Sequence, residues 1–101
     1  MQGANAGTQN ISNQTDIAIG TSATPIRVFY AESVSGGTAA TVILRNGTSG
    51  TATAFSQIDG VINKSASRYY GPDGMYFPAG CFADVDANTT YLTVVYKQEV
   101  L

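Results

Sequence analysis

The chain has 101 residues, 44% of them hydrophobic and 12% charged, with a net charge of −2. That is one domain, and its charged share is about half the usual value, with Thr, Ser, Gly and Asn filling the gap. Five scattered Lys and Arg residues cannot release counterions from a phosphate backbone, which excludes a nucleic-acid partner. The absence of histidine removes the commonest general base, the usual catalytic triads and most zinc sites.

Residues 1–15 are small, polar and almost free of large apolar groups. They cannot bury enough surface to offset chain entropy and are expected to form a flexible N-terminal arm, separate from a β-sandwich domain over residues 16–101. Extended, the arm reaches about 50 Å at about 3.3 Å per residue. It is either a free terminus or an arm that orders against a neighbouring subunit. It lacks the basic segment and apolar run of a signal peptide. No segment of the chain approaches the roughly 18 to 20 apolar residues of a membrane helix.

From Asp16 onward the pattern is β. Ile17 and Ile19 alternate with polar or small residues until Gly20. Thr24 to Val34 places Ile26, Val28 and Tyr30 on one face and Arg27 and Phe29 on the other, with Pro25 suited to a first or edge position. Ser35-Gly36-Gly37-Thr38 is a hairpin signal. Ala40 to Arg45 returns with Val42 and Leu44 opposite Thr41, Ile43 and Arg45. Asn46 to Gly50 is a loop. Thr51 to Ile58 reads as an edge strand, Asp59-Gly60 as a turn, and Val61 to Tyr70 as a further strand.

The stretch from Tyr69 to Asp86 holds five of the ten aromatics around two turns, Gly71-Pro72-Asp73-Gly74 and Phe77-Pro78-Ala79-Gly80. Pro presets φ near the second turn position, and the following Gly accepts positive φ. Cys81, Ala83 and Val85 then share an inner face, opposite Phe82, Asp84 and Asp86. After Ala87-Asn88-Thr89, the stretch Thr90 to Tyr96 sets Leu92, Val94 and Tyr96 against Tyr91, Thr93 and Val95. No window shows helical spacing with caps. The fold class is therefore all-β, a small antiparallel sandwich or barrel of about six to eight strands. Phe77 and Cys81 are expected inside.

Several strands are apolar on both faces, which points to a second buried surface. Phe29, Ile43, Tyr69, Tyr70, Phe82 and Tyr91 are the candidate oligomer or partner interface. Other chemistry is weighed against simpler roles. Asp84-Val85-Asp86-Ala87-Asn88 opens like a calcium loop, but Thr89 stands where glycine is required and Val95 where the closing Glu belongs. Asp59, Asp73, Asp84, Asp86 and Glu32 supply no evident cleft for a glycosidase pair. Tyr69, Tyr70, Tyr76 and Phe77 suit core or intersubunit anchoring better than sugar stacking. Cys81 reads as a buried, inert thiol. Five of six asparagines, Asn10, Asn13, Asn46, Asn63 and Asn88, precede X-Ser/Thr, which turn chemistry accounts for. No catalytic, cofactor or metal residue is assigned.

Three segments carry a resemblance: Ser35-Gly36-Gly37-Thr38-Ala39-Ala40-Thr41-Val42-Ile43-Leu44-Arg45-Asn46-Gly47-Thr48, the run from Gly74 to Asp86 with its Phe-Pro-Ala-Gly-Cys-Phe-Ala-Asp-Val-Asp string, and Thr93-Val94-Val95-Tyr96. Over about residues 24 to 97 the chain resembles small virion proteins of tailed bacteriophages, including phages of marine bacteria. The resemblance implies a compact β-sandwich without enzymatic activity, a capsid decoration or cement protein on the phage particle surface, made in the host cytoplasm. It also implies a homo-oligomer, with a trimer favoured, bound to the major capsid protein or another virion protein. A tail or neck accessory and a carbohydrate-binding module on the virion are the alternatives. No membrane partner is expected.

Overall fold

The structure, a computed structural model, describes residues 4–11, by their backbone, and 16–99. The described residues form β1 (Ala4–Ile11), β2 (Ile17–Ile19), β3 (Ile26–Ser35), β4 (Thr41–Asn46), β5 (Thr53–Asp59), β6 (Ser65–Tyr69), β7 (Met75–Phe77), β8 (Cys81–Val85) and β9 (Thr89–Glu99). One sheet has the order β1-β9-β3-β6, with the short β7 beside β6 against β3; the other has the order β2-β8-β4-β5. Every pairing is antiparallel. The expected all-β sandwich is thus present, and its strand order is that of a jelly roll.

Alternation builds the core. Val42 and Leu44 of β4, Cys81, Ala83 and Val85 of β8, and Leu92 and Val94 of β9 all face inward and are buried, while the residues between them are half-exposed or exposed. Ile19, Ile26, Val28, Ile58 and Phe77 complete the contact between the sheets. On the open side of the sandwich, β5 and β6 are tied together by two side-chain bonds. The Tyr70 and Ser56 hydroxyls meet at 2.8 Å, and Arg68 Nε donates to the Gln57 carbonyl at 3.1 Å.

Three strands depart from strict alternation, each at a bulge. In β9 the extra residue is Thr90, where the register slips between Val34 and Ser35. Tyr30 was expected on the inner face with Ile26 and Val28. The β3–β9 register slips between Val28 and Tyr30, so Phe29 is the extra residue and the phase inverts beyond it. Ala31, Ser33 and Ser35 now face inward, and Tyr30 joins Glu32 and Val34 outside. In β5 the register slips between Leu44 and Arg45, opposite Phe55. That slip lets Phe55 reach the Phe77 ring at 5.3 Å although the strand lies at the sheet edge.

Of the arm expected over residues 1–15, residues 1–3 and 12–15 lie outside the described residues, and residues 4–11 run as β1 along β9. The strand expected over Val61 to Tyr70 is shorter. A turn closed by Lys64 N–H on the Val61 carbonyl, with Asn63 at φ 56°, precedes β6.

The aromatic stretch is a corner. Its first turn closes through Gly74 N–H to the Gly71 carbonyl, and its second through Gly80 N–H to the Phe77 carbonyl. Gly74 has φ +72°, and a Cβ there would lie 2.8 Å from the Val28 carbonyl, so β7 reaches β3 only with glycine at this position. Asn46 Oδ1 accepts the Ala79 N–H at 2.9 Å, and the Gly80 carbonyl accepts the Gly47 N–H at 2.9 Å. The second turn is thereby fastened to the loop after β4.

Candidate interaction surfaces

Antiparallel partners share a face, so the register gives the composition of each outer surface. On the β1-β9-β3-β6 sheet, Tyr69, Tyr30 and Val95 form one row across β6, β3 and β9. Ser67, Glu32 and Thr93 form the next, and Ser65, Val34 and Tyr91 the third. Tyr69 is 70% exposed and Tyr91 37% exposed. On the other sheet, Phe82 lies between Ala18 and Arg45, and Ile43 between Asp84 and Gln57.

The six residues singled out from the sequence therefore divide. Tyr69 and Tyr91 lie on one outer face, and Ile43 and Phe82 on the other. Phe29 sits at the bulge, where it lines a depression of about 590 Å³ with Arg27, Pro72, Asp73, Lys97 and Glu99. Tyr70 turns inward, packs against the core and bonds Ser56. Burial is the main force raising its phenol pKa, with the Ser56 bond acting the other way. Tyr30, which joins the Tyr69 row, was hidden by the bulge. Val61 and Ile62, each 52% exposed on the loop before β6, form a further apolar tip.

Several charged groups near these faces are held by an ion pair or by backbone N–H groups. Arg45 pairs with Asp84 at 2.8 Å and donates to the Ala52 carbonyl at 3.0 Å. Asp86 accepts the Asn88 N–H through Oδ1 and the Thr41 N–H through Oδ2, while Asp16 accepts the Val85 N–H at 2.7 Å. The Asp84-Val85-Asp86 run is thus consumed in an ion pair and a turn. Among the described residues no three His, Cys, Asp or Glu side chains group to hold a metal ion. In the depression, Arg27 lies 3.5 Å from Glu99 and 4.7 Å from the centre of the Tyr76 ring. Positive and negative charges balance there.

Cys81 is 2% exposed, and burial pushes its thiol pKa from 9.0 up to about 12. A thiol that folding keeps neutral adds stability in full below pH 9.0, and this is lost as pH rises toward about 12. The same burial shields it chemically. With a thiol reagent at pH 8 the folded chain is expected to react at least about 100-fold more slowly than the urea-unfolded chain, since the thiolate is the nucleophile and is both scarce and covered. Equal rates would show that β8 opens freely between β2 and β4.

No family model matches the chain, and no curated protein matches it in sequence. Two solved structures resemble it. One comes from the Bacillus endospore appendages, described as a novel family of disulfide-linked pili, with 13% identity, a TM-score of 0.59, and coverage of 100% of this chain and 92% of that one. The other comes from the virus-like particle of the extra small virus of the giant freshwater prawn Macrobrachium rosenbergii. It has 9% identity, a TM-score of 0.48, and coverage of 97% of this chain and 79% of that one. The first of these establishes a shared fold: the chain has the β-sandwich topology of that appendage protein.

Proposed function

We propose that the chain is a non-enzymatic structural protein of a bacteriophage virion, decorating or cementing the capsid as a homo-oligomer. The observation that carries this reading is a jelly roll with apolar side chains on both outer faces, Tyr30, Tyr69, Tyr91 and Val95 on one sheet and Ile43 and Phe82 on the other. A solitary domain covers its outer faces with polar groups, whereas one packed among copies and neighbours keeps apolar anchors there. The sequence resemblance to small virion proteins supports the phage setting. The resemblance favours a trimer as the oligomer and the major capsid protein as the neighbour. The Bacillus appendage protein that shares the fold belongs to disulfide-linked pili. Here the single cysteine is buried, so copies of this chain associate without disulfides, and reductant is expected to leave the assembly intact on a native gel.

Sugar binding is the weaker reading. Tyr70 is committed to the core, and Arg27 occupies a face of Tyr76, which leaves Tyr69 with only the half-buried Tyr30 beside it. A reconstruction of the particle that carries the chain tests the proposal. Density matching a sandwich of 45 × 27 × 20 Å at repeated sites on the shell is expected. Density confined to the tail or neck, or none on the particle, would overturn capsid decoration.

A further inference from the structure

The edges of the two sheets are not equally protected. β2 is three residues long and follows Asp16. β5 has the bulge at Phe55 and ends on Asp59. β6 and β7 have five and three residues, and β6 carries Arg68. Shortness, bulges and charges are the devices that keep a sheet edge from pairing with another chain. β1 has none of them. Its eight residues run in unbroken register with β9, and no Lys, Arg, Asp, Glu or Pro occurs among residues 1–15. β1 is also the end strand of its sheet, with β9 on one side and no strand on the other among the described residues. In an antiparallel ladder alternate residues direct their N–H and C=O to the same neighbour, so half of the β1 backbone groups point away from β9.

We propose that this edge joins two copies of the chain. β1 of one copy pairs antiparallel with β1 of the second around a two-fold axis, which makes one continuous sheet in the order β6-β3-β9-β1 and then its reverse. Identical strands form an isologous, self-complementary contact, and two uncharged strands set no like charges against each other. Within these 101 residues, the segments outside the described ones have three, four and two residues and cannot span an edge of eight. The matching occupant is a second β1. The contact joins pairs of copies whatever particle they belong to, and it can also link trimers built through the outer faces.

Sedimentation equilibrium of the full chain tests this across a concentration series. The unaltered chain is expected to dimerise. The double variant Ala6→Lys, Thr8→Lys, which places like charges on the edge, is expected to dimerise at least tenfold more weakly while keeping its thermal midpoint. A second measurement covers the case in which the lysines disturb the fold. In Thr8→Cys the introduced thiol takes a spin label while buried Cys81 does not, and labels near the middle of paired β1 strands lie within about 20 Å of each other. A chain that stays monomeric at every concentration overturns the proposal, as do a dimer indifferent to the lysines in a folded variant and a dimer with labels beyond about 40 Å. A chain that is monomeric alone but captured through β1 by a different virion protein overturns it too.

Discussion

Replacing Phe77 with alanine is expected to remove about 3–5 kcal/mol of stability, the range for deleting a fully buried aromatic ring. Phe77 is the largest of the fully buried side chains, and its strand, β7, pairs Phe77 with Ile26 between the two sheets. The ring is also in contact with Phe55, centre to centre at 5.3 Å and tilted by 36°. Its neighbours cannot close the space, because Phe77 is pinned between β7 pairing and the turn that Gly80 closes on its carbonyl. A domain of this size has about 5–15 kcal/mol in total, so the variant loses a large part of its margin. Its midpoint should fall by about 12 °C or more, at about 4 °C or more per kcal/mol. Phe55→Ala provides the contrast. Phe55 is 40% exposed, so it should cost about 1 kcal/mol, part of it the lost ring contact. Equal losses in the two variants, measured by urea denaturation, would show that the corner is not the anchor of the core.

The difference between those two phenylalanines shows where the sequence was readable. β4, β8 and β9 keep strict period two over their apolar residues, so the inward positions of Leu44, Ala83, Val94 and their neighbours followed from alternation alone. Cys81 was placed inside on the same grounds and Phe77 as part of the corner that leads into it, and both are buried. In β3 the alternation is ambiguous after Val28, because Tyr30 and Ala31 are equally acceptable inward residues. A bulge depends on how the partner strand twists, which no local pattern records. The pairing of residues 4–11 was equally illegible. It rests on backbone bonds to β9, and Gly7 and Gln9 stand opposite Tyr96 and Val94 with little apolar surface to advertise a strand.

The surfaces were legible in kind but not in arrangement. Two-sided apolar strands correctly indicated that apolar groups lie on the outer faces. Consecutive tyrosines must point to opposite sides of a strand, and nothing in the sequence says which one faces out. The hydroxyl of Ser56, across from the end of β6, receives Tyr70 and leaves Tyr69 exposed. Phe29 was assigned outward correctly by parity, but the bulge moves it to the rim of a charged depression, away from the tyrosine rows.

Gly60 read only as half of an Asp-Gly turn. The reason for glycine there is space. Its N–H donates to the Ala40 carbonyl at 2.7 Å. A Cβ at this position would stand 2.1 Å from Ser35 Oγ and 2.6 Å from the Ala40 carbonyl oxygen. Neither atom can retreat cheaply. Ser35 Oγ accepts the Ala40 N–H at 3.1 Å, while the Ser35 N–H is held by the Lys64 carbonyl at 3.0 Å. Gly60→Ala is therefore expected to cost about 2–3 kcal/mol, as overpacking of a close backbone contact does. Gly50→Ala is the control. Nothing lies within 4 Å of its Cβ position, so that variant should be neutral or slightly stabilised, by about 0.5 kcal/mol, through the unfolded chain. Adding Ser35→Ala to Gly60→Ala separates the two clashes. It removes the oxygen at 2.1 Å but leaves the Ala40 carbonyl in place and the buried Ala40 N–H without its acceptor. The double variant should consequently cost less than the sum of the single ones, yet remain clearly below the unaltered chain. If Gly60→Ala unfolds at the same urea concentration as Gly50→Ala, the loop moves aside without loss, and the junction of β3, β4 and β6 is looser than its hydrogen bonds imply.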